Sequence, residues 1–375
     1  MVNKYDIGIY RLEFPLCSET FISEQAGHMR RYCPFFIVTT KKGPIEIPYV
    51  ALSDHDFCQI RYRLMISTKI PSFFIHNSNV HKLKLIHAHF GPDAVYALAL
   101  SGALRIPLIA TFHGYDITIN ESCYSGVVLK HYLRGRKKLM EQGAAFIAVS
   151  KFIQNKLDEK GFPTNKIYQH YIGVDIEKFY PVKIKNNGRY ILSVGRHTQK
   201  KGIDTLLRAF QKIAHKHTDV SLIQVGDGPM SRELHALVET YKLEKQVKFI
   251  GSQPHHKVLS LMQNAEIFAL PSQTAINGDS EALGIVFNEA SACEIPVVST
   301  MHGGIPEAVL HNETGILFQE KDERSLADNI DILLSDKGLC ADMGRRGREY
   351  VCDVFDIRKQ TVKLERIYDK FIETR

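Results

Sequence analysis

Asp279-Ser280-Glu281-Ala282-Leu283-Gly284-Ile285-Val286-Phe287-Asn288-Glu289-Ala290 is the stretch on which the reading of this chain turns. Gly284 is a poor helix-interior residue, so the sequence predicts a helix that starts beside it and runs over Ile285 to Cys293. Glu289 then lies inside the helix and Glu281 in the loop before it. The free N–H groups and positive dipole end of the helix fall between the two carboxylates. This layout suits an extended ligand: hydroxyls at one end for Glu281, an anion in the middle, hydroxyls at the other end for Glu289. A nucleotide-diphospho-sugar has that shape. At about 1.5 Å per helical residue, the spacing spans roughly 12 Å, a plausible sugar-to-ribose distance. Two glutamates at this spacing also occur on solvated surfaces, so the surrounding sequence has to decide.

Upstream, the strand pattern Tyr190 to Val194 ends in Gly195-Arg196-His197-Thr198-Gln199-Lys200-Lys201-Gly202. Glycine lets backbone approach an anion closely, and Arg196 and Lys201 place two cations where a diphosphate would sit. The competing reading is a surface turn with exposed bases. Gly226-Asp227-Gly228-Pro229 turns from a strand into a helix and could border a nucleotide. It is not a G-x-G-x-x-G fingerprint and serves equally well as a tight turn. Downstream, Gly303-Gly304-Ile305-Pro306-Glu307 is a second glycine turn into a helix, with proline in its first turn.

Alternation of strands and helices extends over the whole chain. Strands are expected over Lys4–Tyr10, Phe35–Thr40, Leu85–Ala88, Leu108–Thr111 and Ala145–Val149, with helices over Ala94–Gly102 and Val128–Glu141. Ser150 is a good N-cap for a helix over Lys151–Lys160. Residues 173–188 interrupt the pattern and read as a linker. Alternation then resumes with a strand over Tyr190–Val194, a helix over Ile203–Lys216 and strands over Ser221–Val225, Val247–Ile250, Ile267–Leu270 and Val297–Ser299. A long helix over Ile357–Thr374 ends the chain. Repeated alternation argues for parallel sheets covered by helices, in two doubly wound domains with a cleft between them.

Composition narrows the classes. The chain has 375 residues, 44% hydrophobic and 24% charged, which suits packed domains. No apolar run approaches the ~18 residues of a membrane span; Ala94 to Leu104 is too short. The first residues lack a signal-peptide layout. Cysteines 17, 33, 58, 123, 293, 340 and 352 form no C-x-x-C pair, which suggests free thiols in a reducing compartment. The net charge is +7; residues 1–180 hold 22 Lys+Arg and 15 Asp+Glu, whereas residues 181–375 hold 26 of each. A basic first half attracts polyanions such as nucleic acid or anionic lipid, or is a solvated surface.

The ordered motifs 195–202, 226–229, 277–289 and 303–307 resemble the retaining glycosyltransferases of family 4, also called group 1. Phe14-Pro15…Ser18-Glu19-Thr20-Phe21-Ile22, His87-Ala88-His89-Phe90-Gly91, Thr111-Phe112-His113-Gly114-Tyr115-Asp116 and Gly173-Val174-Asp175 extend the resemblance into the first half. Ser-Glu-Thr-Phe-Ile and Thr-Ala-x-Asn-Gly-Asp together resemble the colanic acid and exopolysaccharide branch. The resemblance implies an α/β GT-B fold, with two Rossmann-like domains facing each other across a cleft. The acceptor domain would be 1–172, the linker 173–188 and the nucleotide-sugar domain 189–356, with the final helix, about 357–375, packing back on the first domain. Arg196 and Lys201 would hold the diphosphate, and Glu281 with the backbone of Ala282, Leu283 and Gly284 the donor sugar and phosphate. Gly195 and Gly226 would border the nucleotide, Glu289 would bind ribose and His113 would reach the reacting sugar. Ser18, Glu19, Thr20, His89 and Asp116 are acceptor-side candidates. Many relatives have Gly-Leu-Pro after the first glutamate; here Ala282-Leu283-Gly284 stands there, which bears on donor-sugar preference.

The expected reaction is hexose transfer from a UDP- or GDP-linked donor to a growing, lipid-linked bacterial surface glycan. No cofactor or metal is expected; Asp54-His55-Asp56 reads as a solvated turn, and His87 and His89 lack ligand partners at useful spacing. The expected setting is the cytoplasm, at the inner face of the membrane through anionic lipid, without nucleic acid. The rival readings are a GT-B nucleotide-sugar epimerase and a non-catalytic sugar-nucleotide or polyanion-binding module.

Overall fold

The computed structural model describes residues 5–16, 19–182 and 188–372. The chain divides into two compact units. Unit 1 comprises Met1–Gly173 and Ile357–Arg375, and unit 2 comprises Val174–Asp356. Each is built on one sheet whose pairings are all parallel.

The first sheet contains β1 (Ile7–Phe14), β2 (Pro34–Lys41), β3 (Tyr49–Ala51), β4 (Leu85–His89), β5 (Leu108–Phe112), β6 (Ala145–Ala148) and β7 (Ile167–Gln169). Their order across the sheet is β3-β2-β1-β4-β5-β6-β7. The second contains β8 (Arg189–Val194), β9 (Val220–Val225), β10 (Val247–Phe249), β11 (Ile267–Ala269), β12 (Val297–Thr300) and β13 (Gly315–Phe318), in the order β10-β9-β8-β11-β12-β13. Both are doubly wound, with the strand order reversing beside the first strand. The crevice at the carboxyl ends of β1/β4 and of β8/β11 is therefore where each sheet can hold a ligand. Central strands such as β4 and β5 are buried at every residue, as a sheet covered on both faces requires.

Helices cover the sheets for local reasons. Ser150 Oγ accepts the Ile153 N–H at 3.1 Å and starts the helix Lys151–Glu159. The helix Ile203–Ile213 buries Ile203, Leu206, Leu207, Phe210 and Ile213, a stripe at helical spacing.

Two features of this layout matter. Within 173–188, the described part of the second unit is built in rather than loose. Val174 N–H bonds to Phe355 O at 2.7 Å, Asp175 accepts the Glu177 N–H at 3.0 Å, and Arg348 donates to Phe179 O at 3.1 Å. The final helix, Ile357–Ile372, belongs to the first unit: Leu364, Ile367 and Tyr368 join its core beside Ile7, Ile9 and Leu85. The short strands β3, β7 and β13 carry too little pattern, at three or four residues, to stand out from sequence.

Candidate active site

In the second unit, the ends of β8 and β9 are joined by the Gly195 N–H, which bonds to Val225 O at 2.9 Å. Gly226 has φ +141°, and a Cβ there would strike Gly195 O, so the turn admits only glycine. Gly202, at φ +62°, caps the helix Ile203–Ile213 and lies against Pro271 O, again with no room for a Cβ. This close approach brings the loop after β11 against the loop after β8. Gln273 N–H donates to Lys200 O at 2.7 Å, and Ile276 N–H to Gln199 Oε1 at 2.8 Å.

Lys201 Nζ consequently lies 2.6 Å from Glu281 Oε2, with both side chains largely buried. Lys200 Nζ pairs with Asp279 Oδ1 at 3.0 Å. Burial raises the affinity of Glu281 for a proton, but the nearby ammonium groups of Lys201 and Lys200 outweigh it and hold the carboxyl at about 2. Glu281 is thus ionised at neutral pH: it accepts hydroxyl hydrogen bonds and has no proton to give a leaving group. Arg196 is exposed beside this pair in sequence, and among the described residues its guanidinium has no hydrogen-bond or ion-pair partner.

Glu281 is also held through its backbone. Its N–H donates to His302 Nε2 at 3.0 Å, which leaves the ring proton on Nδ1, directed at Glu320 Oε1 at 2.7 Å. Glu320 in turn accepts the Thr274 N–H at 2.7 Å. Gly303 and Gly304 pack on the carbonyls of Glu281 and Ala282, where a Cβ would collide with either oxygen. The Gly-Gly turn thus supports the loop from behind. The helix runs Ile285–Ala292 with Gly284 as its N-cap at φ +78°, so its free N–H groups follow directly on Ala282 and Leu283, both buried. Glu289 lies within it, 9% exposed, with Oε1 3.3 Å from His255 Nε2. Lys178 Nζ lies 3.0 Å from His255 Nδ1, which makes Nδ1 the acceptor and directs the Nε2 proton at Glu289.

The first unit gathers its histidines at the carboxyl ends of β4 and β5. His89 Nδ1 and His113 Nε2 lie 3.0 Å apart and share one proton. Burial first, then neighbouring charges including Arg11, holds both rings well below the usual histidine range, so both are neutral. His113 is packed by Phe90 and Phe21, with ring centroids at 4.6 and 5.0 Å, and its Nδ1 is buried without a partner among the described residues.

Asp116 is fully buried. Its oxygens accept N–H groups from His113 (3.1 Å), Gly114 (2.9 Å) and Gly91 (2.9 Å), so it shapes the loop that carries His113. Glu19 is buried, and its carboxylate lies 2.5 Å from Arg11, which also pairs with Asp93 at 2.7 Å. Glu19 therefore neutralises a core cation rather than capping the helix Thr20–Gly27 that follows it. Thr20, half-buried, opens that helix; Ser18 lies outside the described residues. His87 is used structurally, by Tyr368 Oη at 2.7 Å and Thr111 Oγ1 at 2.6 Å.

Sequence reasoning missed His302, Glu320, His255 and Lys178. Only His302 carried a signal, by its place just before the Gly-Gly turn.

Two doubly wound units, the second with a cation–carboxylate pair and a helix N-terminus at its switch point, have the layout of the GT-B glycosyltransferases. The chain belongs to the family 4, or group 1, glycosyltransferases: residues 175–350 match Glycosyl transferases group 1, and residues 43–178 match Glycosyltransferase Family 4. It is 35% identical, over 74% of its length and 68% of the relative's, to the provisionally named colanic acid biosynthesis glycosyltransferase WcaL of Escherichia coli strain K12. It is 31% identical, over 69% of its length and 63% of the relative's, to the amylovoran biosynthesis glycosyltransferase AmsK of Erwinia amylovora. The WcaL counterpart of Salmonella typhimurium is aligned over 59% of its own length. In fold, the chain is similar to HepE of Anabaena in complex with UDP and glucose (TM-score 0.80, 20% identity, 98% and 100% of the two chains). It is likewise similar to sucrose-phosphate synthase of Thermosynechococcus elongatus (TM-score 0.79, 20% identity, 99% and 100%). Among the described residues, no helix is long and apolar enough to cross a membrane.

Proposed function

We propose that this chain transfers a hexose from a UDP- or GDP-linked donor to a growing, lipid-linked bacterial surface polysaccharide or oligosaccharide, with retention at the anomeric carbon. The observation that carries the reading is the Lys201–Glu281 pair at the switch point of the second sheet, with the uncommitted Arg196 guanidinium on the same loop. Arg196 and Lys201 take the diphosphate, with the N–H groups at the start of the helix Ile285–Ala292. Glu281, ionised, accepts the hydroxyls of the donor sugar, and Glu289, steadied by His255, accepts those of the ribose. Gly195 and Gly226 leave the nucleotide room beside backbone. His113, neutral, is assigned to the reacting sugar as a hydrogen-bonding group rather than a cation. The names of WcaL and AmsK support a polysaccharide product, and the ligands of HepE support a UDP-linked donor.

Chemically, the bond from the anomeric carbon to the diphosphate oxygen breaks and its electrons stay on that oxygen. The acceptor hydroxyl bonds to the same face, and its proton passes to the departing phosphate oxygen. Cations already in place where charge develops supply the stabilisation. The proposed setting is the cytoplasmic side of an anionic membrane, supported by the excess of Lys and Arg in residues 1–180.

The test is a melting-temperature screen with nucleotides and nucleotide sugars, followed by turnover with the selected donor. Arg196→Ala should fold normally and lower kcat about 100-fold or more, as losing one charge-stabilising donor does. Unchanged kinetics would remove the assignment, and an epimerised sugar formed from donor alone would favour the epimerase reading.

A further inference from the structure

Residues 57–92 contain no Asp or Glu and five cations: Arg61, Arg63, Lys69, Lys82 and Lys84. Lys69 also feels Arg134 and Lys138 of the helix Val127–Gln142, which lower its proton affinity after the effect of burial. The same segment displays apolar side chains. Phe57 is 74% exposed, and Ile60, Leu64 and Ile70 are each more than half exposed. Phe57 stands at φ +59°, a left-handed conformation that a bulky aromatic adopts only under strain. Ile60 and Leu64 lie one turn apart on the helix Cys58–Thr68, with Phe57 a turn before them, while Met65 and Ile66 face the core. Behind this face lies a cavity of about 620 Å³, walled by Leu52, Leu64, Met65, Ile70, Phe73 and Phe74. Arg61 also borders it and stacks over Phe73 at 5.5 Å. Counted by structural unit, the first carries 27 Lys+Arg against 16 Asp+Glu, +11, and the second 21 against 25, −4.

We propose that this face is an insertion surface for an anionic lipid bilayer. Phe57, Ile60, Leu64 and Ile70 enter the boundary between headgroups and acyl chains, Arg61, Arg63 and Lys69 meet lipid phosphates, and the cavity takes a length of one acyl chain. An apolar patch this concentrated marks an interaction site, and apolar side chains among bases are the composition of an interfacial anchor. A second copy of the chain is a poor occupant, because an isologous contact would set Arg61, Arg63 and Lys69 against their own copies. The inference rests on the reading of a lipid-linked acceptor and says which surface the enzyme presents to the membrane that holds it.

The chain has no tryptophan, so a single introduced one reports alone. The full-length Phe57→Trp variant is mixed with phosphatidylcholine vesicles, with and without phosphatidylglycerol and with brominated acyl chains. Ile332→Trp, half exposed in the second unit, is the control. With phosphatidylglycerol present, the Phe57→Trp emission should shift to the blue and be quenched by brominated chains, and the control should not respond. The double variant Ile60→Ser/Leu64→Ser should bind these vesicles about 10-fold more weakly, even in high salt, and keep the melting shift given by UDP or GDP. No shift and no quenching in a folded protein would overturn the proposal. So would a blue shift that appears without vesicles and grows with protein concentration, since that is self-association. A negative vesicle result with the nucleotide shift intact strikes this surface alone, whereas absence of both strikes the glycosyltransferase reading itself.

Discussion

Removing the charge of Glu281 changes Lys201 as well, because their side chains meet at 2.6 Å in a largely buried place. The folded carboxyl is held at about 2, below the ordinary value of 4.5. Its stabilising contribution is therefore complete above pH ~4.5 and is lost as pH falls towards 2. Glu281→Gln should cost on the order of 1–3 kcal/mol at neutral pH, with a melting-temperature gap to the parent that narrows between pH ~4.5 and 2. A gap that stays constant through that window would show that the pair is not coupled. His302 acts on the same residue through the backbone. His302→Phe removes the acceptor for the Glu281 N–H and one of the donors to Glu320, so the loop should bind donor less well. We expect the donor KM to rise by about 10-fold, a loss of one buried hydrogen bond, with a smaller change in kcat; equal falls in kcat and kcat/KM would reassign His302 to the chemical step.

Single elements show where sequence reading worked and where it stopped. The helix start at Gly284 was legible because a left-handed N-cap and a following apolar run are local properties of the chain. Both glutamates were placed correctly for the same reason, one in the loop and one in the helix. Glu19 and Asp116 were harder: each is an acid within a motif, and only the packing shows that Arg11 takes the first and three backbone N–H groups the second. The turn at Gly226 offers an element-scale check. Gly226→Ala forces a Cβ onto Gly195 O at φ +141°, which should destabilise the second unit by about 1–3 kcal/mol, read from denaturant unfolding. It should also weaken nucleotide binding, measured by the melting shift with UDP or GDP.

For the molecule as a whole, the last helix is the most consequential piece. Glu365 accepts the N–H groups of Arg30 and Arg31 at 2.8 Å each, Tyr368 meets His87, and Leu364 and Ile367 fill the first unit's core. Leu364→Ala should therefore cost about 2–5 kcal/mol in the first unit, although residue 364 is remote in sequence from everything it supports. Hydrogen exchange should show lost protection in β1, β4 and β5 and none in β8, β11 and β12. Equal losses in both sheets would mean that the units do not unfold separately. The same division sharpens the charge asymmetry, since moving the final helix to the first unit raises that unit's charge to +11.

Sequence alone determined the two doubly wound sheets, the helix start at Gly284, the glycines of the tight turns and the family. All of these are written in short-range periodicity, in residues with special backbone freedom, and in motif order. Tertiary structure decided what the ionisable groups do. It set Lys201 against Glu281 across 80 positions and His302 beneath Glu281, and it used Glu19 and Asp116 inside the core. It also left Phe57, Ile60, Leu64 and Ile70 uncovered. Proton affinity, pairing and exposure depend on what is near in space, and a chain pattern carries that only once the sheets have brought distant loops together.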